Sequence, residues 1–101
     1  MILYINSADR NLIKVALKEE NKIIDSLEEQ NEYGSQVLLP LIEKLLKKNN
    51  LEYKDLRGIE VETGPGSFTG LRVGVAVANA LGFALKIPVN NKKIETKLKY
   101  K

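Results

Sequence analysis

Apolar positions change their period several times along this chain, and each change marks an element. Leu12–Glu19, LIKVALKE, alternates strictly, with Ile13, Val15 and Leu17 on one side and Lys14, Ala16 and Lys18 on the other. A period of two is that of a half-buried strand. A short apolar strand, Ile2–Asn6, precedes it and a less regular one, Asn21–Glu29, follows. The Glu20-Asn21 corner reads as a hairpin turn, so a three-stranded antiparallel meander is expected.

The period then lengthens. Leu38, Leu39, Ile42, Leu45 and Leu46 recur at helical spacing after Ser35, a suitable N-cap. Lys44, Lys47 and Lys48 lie towards the C-terminal end, where the helix dipole favours cations, and Asn49-Asn50 ends the pattern. Pro40 lacks a backbone donor and predicts a slight bend or a later start. Arg57–Thr63 alternates again, Ile59 and Val61 against Glu60 and Glu62, and reads as a fourth strand. A glycine-rich turn leads into a second helix over Gly70–Ala84, and KIPV, Lys86–Val89, reads as a short strand. Asn90-Asn91 suits a turn into a final strand at residues 92–101, where Ile94, Thr96, Leu98 and Tyr100 alternate with Glu95, Lys97, Lys99 and Lys101.

The order is β-β-β-α-β-α-β plus a C-terminal strand, an α/β pattern with a mixed sheet. The second, fourth and last strands each carry one apolar and one charged face, whereas a strand covered on both sides would be apolar on both. Both helices are therefore expected on one face of the sheet.

Composition narrows the chemistry. The chain has 101 residues, 44% of them hydrophobic and 29% charged, which suits one domain over residues 1–101 with a modest core. It lacks cysteine and histidine, which removes disulfides, zinc fingers, thiol nucleophiles and imidazole bases. Asp9, Asp25 and Asp55 lack metal-loop spacing, so neither a metal nor a cofactor is expected. The net charge is +3, yet the last ten residues hold five lysines against one glutamate, leaving −1 for the rest. Such a basic end suits a nucleic-acid contact or a solvated strand face. The amino terminus lacks a basic leader and no apolar run reaches membrane-span length, so a cytoplasmic protein without membrane contact is expected.

The glycine turn, TGPGSFTGLRVG at Thr63–Gly74, is the strongest local signal. Gly64, Gly66, Ser67 and Thr69 form a possible anion-binding turn at a helix start. It lacks the lysine and spacing of a Walker loop, and Thr69 stands where a dinucleotide fingerprint needs its third glycine. Within the helix, Gly70, Gly74, Ala78 and Gly82 fall four apart, with Ala76, Ala80 and Ala84 in a second row. Glycine costs roughly 1 kcal/mol relative to alanine inside a helix, so the first row implies close approach of another backbone. That backbone belongs either to the chain's own sheet or to a partner. Leu71, Val75, Leu81, Phe83 and Leu85 are expected to cover the core.

GPGSFTGLRVG, Gly64–Gly74, is similar to the signature of the TsaB (YeaZ) family. SQVLLPLIEKLL, Ser35–Leu46, resembles that family's first helix, and ILYINSADRNLIKVAL its first hairpin. The resemblance implies a single actin-like, ribonuclease H-like domain and a role in making threonylcarbamoyladenosine in tRNA. It implies a non-catalytic subunit that binds a TsaD-like catalytic subunit, alongside a TsaE-like ATPase, through its first two helices, with self-association through overlapping surface. On that reading the partner surface includes Leu38, Ile42, Gly70, Leu71, Gly74, Ala78 and Gly82, and tRNA is met either indirectly or through the lysine-rich end. The competing reading is a small phosphate- or nucleotide-binding protein using Gly64–Thr69. Three departures bear on the choice. Asn6 stands where the superfamily has an aspartate in its first phosphate loop, Gly34 stands where the family commonly has histidine, and the superfamily's second domain is not seen. The first and third argue against nucleotide turnover.

Overall fold

A computed structural model describes residues 1–9, 11–30, 35–66 and 68–91, without the side chains of Ser35, Gln36 and Phe68. The expected final strand at residues 92–101 lies outside the described residues, as does the capping side chain of Ser35.

Strands β1 (Ile2–Asn6), β2 (Leu12–Glu19) and β3 (Lys22–Gln30) form the meander, followed by helix α1 (Ser35–Lys48), strand β4 (Gly58–Val61) and helix α2 (Phe68–Leu85). The sheet order is β3-β2-β1-β4. β1 pairs antiparallel with β2, Leu3 opposite Leu17 and Ile5 opposite Val15, and parallel with β4, Leu3 beside Ile59. Glu19 and Lys22 face each other across a two-residue turn whose members, Glu20 and Asn21, have φ of 52° and 65°. Positive φ at both central positions is what a type I′ turn requires, and its twist matches that of the strands it joins. Between Leu17/Lys18 the β2–β3 register shifts, because Lys18 pairs with Ile23 and Leu17 with Asp25. Ile24 is thus the extra residue of a bulge on an edge strand.

The alternation read from the sequence orients the sheet. Leu3, Ile5, Ile13, Val15, Leu17, Ile59 and Val61 are buried beneath the helices. α1 contributes Leu38, Leu41, Ile42, Leu45 and Leu46, and α2 contributes Leu71, Val75 and Ala78. Each such large side chain contributes about 1.5–3 kcal/mol through removal from water. On the other face Lys18 Nζ lies 2.8 Å from Glu60 Oε1 and 4.9 Å from the Tyr4 ring centroid, a polar bridge across β2, β1 and β4.

Some details differ from expectation. α1 begins at Ser35 despite Pro40, which sits on its exposed side. Leu39 is also exposed, and Leu41 takes the core place expected of it. The strand expected over Lys86–Val89 shrinks to one parallel bridge, Val89 beside Ile59. The cause is Asn90. Its φ of 53° turns the chain away, and its side-chain amide completes the ladder. Val61 N–H donates to Asn90 Oδ1 at 2.8 Å, and Asn90 Nδ2 donates to the Val61 carbonyl at 3.1 Å.

Candidate functional site

Three segments converge beyond the ends of β1 and β4: the β1–β2 loop, the glycine turn and the start of α2. Asn6 Oδ1 accepts from Ala8 N–H at 3.0 Å, and Asp9 Oδ1 accepts from Asn11 N–H at 2.7 Å. These local bonds shape the first loop as Asx turns. A side chain on Gly66 would meet Ala8, with its Cβ 2.6 Å from Ala8 Cβ and 2.8 Å from the Ala8 carbonyl oxygen. Gly64 has φ of 135°, a conformation that a side chain rarely adopts. The glycines therefore let the turn lie against the first loop. This packing accounts for Gly66 without a ligand. Thr69 is exposed, and Ser67 lies outside the described residues.

The four-residue ridge of α2 faces inward. Gly70, Gly74 and Gly82 are buried, as is Ala78, which is fully enclosed. A Cβ on Gly74 would collide with Ser7 Oγ and lie 3.6 Å from Ile5 Cγ2. At Gly74 the close approach comes from side chains of β1 and its following loop, Ile5 and Ser7, rather than from a backbone. Leu38, Ile42 and Leu71 are likewise buried in the chain's own core. Of the residues expected at a partner surface, Leu38, Ile42, Gly70, Leu71, Gly74, Ala78 and Gly82, all are turned to the sheet rather than outward. Of the two readings of the ridge, this burial matches packing within the chain itself.

The outward side of α2 is the second small-residue row. Thr69, Arg72, Ala76, Ala80, Phe83 and Ala84 are exposed, Phe83 at 75%, and Leu39 of α1 is 42% exposed. Phe83 was expected in the core. At about 100° per residue it falls with Ala76 and Ala80, opposite Leu71, Val75 and Ala78. That angular grouping was available in the sequence. What hid it is that both sides of α2 are apolar or small.

Electrostatics add a structural tie. Asn49 Nδ2 donates to Asp25 Oδ2 at 3.0 Å and Lys48 Nζ donates to Asp25 Oδ1 at 3.2 Å, joining β3 to the end of α1. The Asn49 bond, followed by the Lys48 bond, holds the Asp25 carboxyl below its ordinary value. Burial, then Glu43, pushes the Tyr53 hydroxyl up. Among the described residues no three acidic side chains gather as a metal site, and no helix is long and apolar enough to cross a membrane.

A mixed sheet ordered β3-β2-β1-β4, with two helices on one face and a glycine turn locked against the first loop, defines a lobe of the actin-like class. A family model described as "TsaD: tRNA N6-adenosine threonylcarbamoyltransferase" matches residues 28–91. The chain belongs to that family, on its TsaB (YeaZ) side. The tRNA threonylcarbamoyladenosine biosynthesis protein TsaB of Bacillus subtilis is 33% identical over 89 residues, which are 88% of this chain and 39% of that protein. Its namesake from Buchnera aphidicola subsp. Schizaphis graminum is 37% identical over 71 residues, 69% of this chain and 34% of that one. A tRNA N6-adenosine threonylcarbamoyltransferase of Nitrosospira multiformis is 38% identical over 78 residues, 66% of this chain and 22% of that enzyme. Among solved structures, YeaZ from Pseudomonas aeruginosa matches with a TM-score of 0.78 at 32% identity, over 87% of this chain and 42% of that one. The chain thus spans between 34% and 39% of the length of these two TsaB relatives.

Proposed function

We propose that this lobe acts in tRNA threonylcarbamoyladenosine modification as a non-catalytic subunit that holds a TsaD-like catalytic subunit. The observation carrying the reading is likeness to proteins named for that pathway, extending over 88% of this chain in the Bacillus subtilis TsaB. The absence of histidine and cysteine from the sequence supports a non-catalytic role, because it removes the commonest bases and nucleophiles. The partner lies against the outward side of the helices, on Leu39, Ala76, Ala80 and Phe83. Small residues flanking a large exposed aromatic let another helix approach closely and receive an anchor. The inward ridge residues support this face from beneath. Without the partner the same face pairs with a second copy. A TsaE-like ATPase joins the assembly, and the lysines of residues 92–101 add a contact to tRNA.

The test is titration of the chain into a TsaD-like subunit from the same organism, followed by calorimetry. Phe83→Asp should weaken the complex about tenfold or more, as loss of a buried aromatic anchor does, with little change in thermal stability. Equal affinity of the variant and the parent would remove this face from the proposal. No binding by the parent would remove the proposal itself.

A further inference from the structure

Ser7 is the one fully buried polar side chain among the described residues. Its Oγ–H donates to the Gly70 carbonyl, at 2.6 Å, across 63 positions of sequence. The same side chain occupies the space that a Cβ on Gly74 would need, with Ser7 Cβ 3.3 Å from that point. Next to it, Ala8 fills the space beside Gly66, leaving only 3.0 Å from its Cα to a Cβ there. The β1–β2 loop therefore holds the glycine turn at Gly66, and the first turns of α2 at Gly74 and through one hydrogen bond to Gly70. Nothing in this contact resembles a ligand site, since Ser7 is fully buried and its hydroxyl is already bonded to Gly70. Its consequence is geometric. A helix moves as a rigid rod over a few turns, so what sets the height and rotation of its first turns also sets the outward row further along.

We infer that Ser7 is a positioning residue for the partner surface: by fitting Gly74 and bonding Gly70 it fixes where α2 presents Ala76, Ala80 and Phe83. This rests on the proposed reading of α2 as the partner helix. Packed interiors transmit such shifts because they have little free volume to absorb them. The extra methyl of Gly74→Ala would collide with Ser7 Oγ, so either that hydroxyl swings away and gives up its bond to the Gly70 carbonyl, or α2 rises or rotates. Removing the Ser7 side chain frees that space.

The experiment measures affinity for a TsaD-like subunit by calorimetry at a temperature where each variant is fully folded. It uses Gly74→Ala, the paired change Ser7→Gly with Gly74→Ala, and Ser7→Ala. Gly74→Ala should bind about tenfold more weakly, and the paired change should recover affinity to within about threefold of the parent. A purely structural role would lower melting temperature in both and leave the affinity of the folded proteins alone. If Gly74→Ala does not fold, the paired change and Ser7→Ala decide. Ser7→Ala keeps the spacing but loses the bond, and should bind more weakly than the parent while hydrogen exchange at the start of α2 quickens. Parental affinity in every folded single variant overturns the inference while leaving the proposed function standing. Failure of the parent to bind overturns the reading, and the inference falls with it.

Discussion

Asn90 shows how one side chain can end a sheet. Its amide offers Val61 both a donor and an acceptor, as the next residue of a strand would, while its backbone turns away at a φ of 53°. Asn90→Gly keeps the turn accessible but removes both bonds. At about 1 kcal/mol net for each buried hydrogen bond, the variant should lose roughly 1–2 kcal/mol, read as a lower urea midpoint. Lys86 is the opposite case. Ile87 N–H bonds the Gly82 carbonyl at 3.0 Å and Lys86 N–H approaches the Phe83 carbonyl at 3.4 Å, the paired pattern that closes a helix end. That pattern needs a left-handed residue, and Lys86 adopts φ of 58°. Lys86→Gly should therefore stabilise the protein by roughly 1 kcal/mol, seen as a higher melting temperature. Neither residue announced its role in the sequence. A lysine gives no hint of a left-handed conformation, and Asn90-Asn91 spoke only of a turn. What replaced the strand was a side-chain bond across 29 positions, and such bonds leave no local pattern.

Helices and strands were more legible, because each is governed by a period that burial imposes along its own length. The alternation in β2 placed Ile13, Val15 and Leu17 together, and all are buried. The orientation of α2 was harder, because its two small-residue rows differ less in hydropathy than in what they touch. The inner row is the one that meets Ser7 and Ile5, both far away in sequence. The tie between β3 and α1 likewise depends on partners distant in sequence, and it has a pH signature. Asp25 has its carboxyl lowered from an ordinary value of 3.8, chiefly by Asn49 and then by Lys48. A group with a depressed folded value contributes stability that is full above the unfolded value and is lost as pH falls through the folded one. The parent should thus exceed Asp25→Asn in melting temperature at neutral pH, and the gap should close as pH drops below about 3.8. A gap that persists at strongly acid pH would show that the carboxylate is not its source.

At the scale of the whole molecule, the glycine turn is the point on which binding and scaffolding readings diverge. Its length and position suit an anion, yet its glycines answer to Ala8 and Ser7. The class of fold was legible from the order and faces of the elements. The occupant of the turn was not, because glycine serves close packing and phosphate approach equally well. Phosphoryl transfer from a nucleotide needs charged groups that hold magnesium and orient water. Here Asn6, at the end of β1, is neutral and spends its oxygen on the Ala8 amide at 3.0 Å. Among the described residues no three acidic side chains come together where a magnesium ion would need them. The purified protein should therefore release no phosphate from ATP above the buffer rate, with or without magnesium, in a continuous phosphate assay. The informative control is Thr69→Ala, because Thr69 is exposed at the turn and its loss leaves the glycine packing intact. Turnover that survives further purification and disappears in Thr69→Ala would overturn the expectation and make the turn a nucleotide site. Turnover unchanged by Thr69→Ala would have to come from elsewhere, and the glycine turn would keep its role as the joint between the first loop and α2.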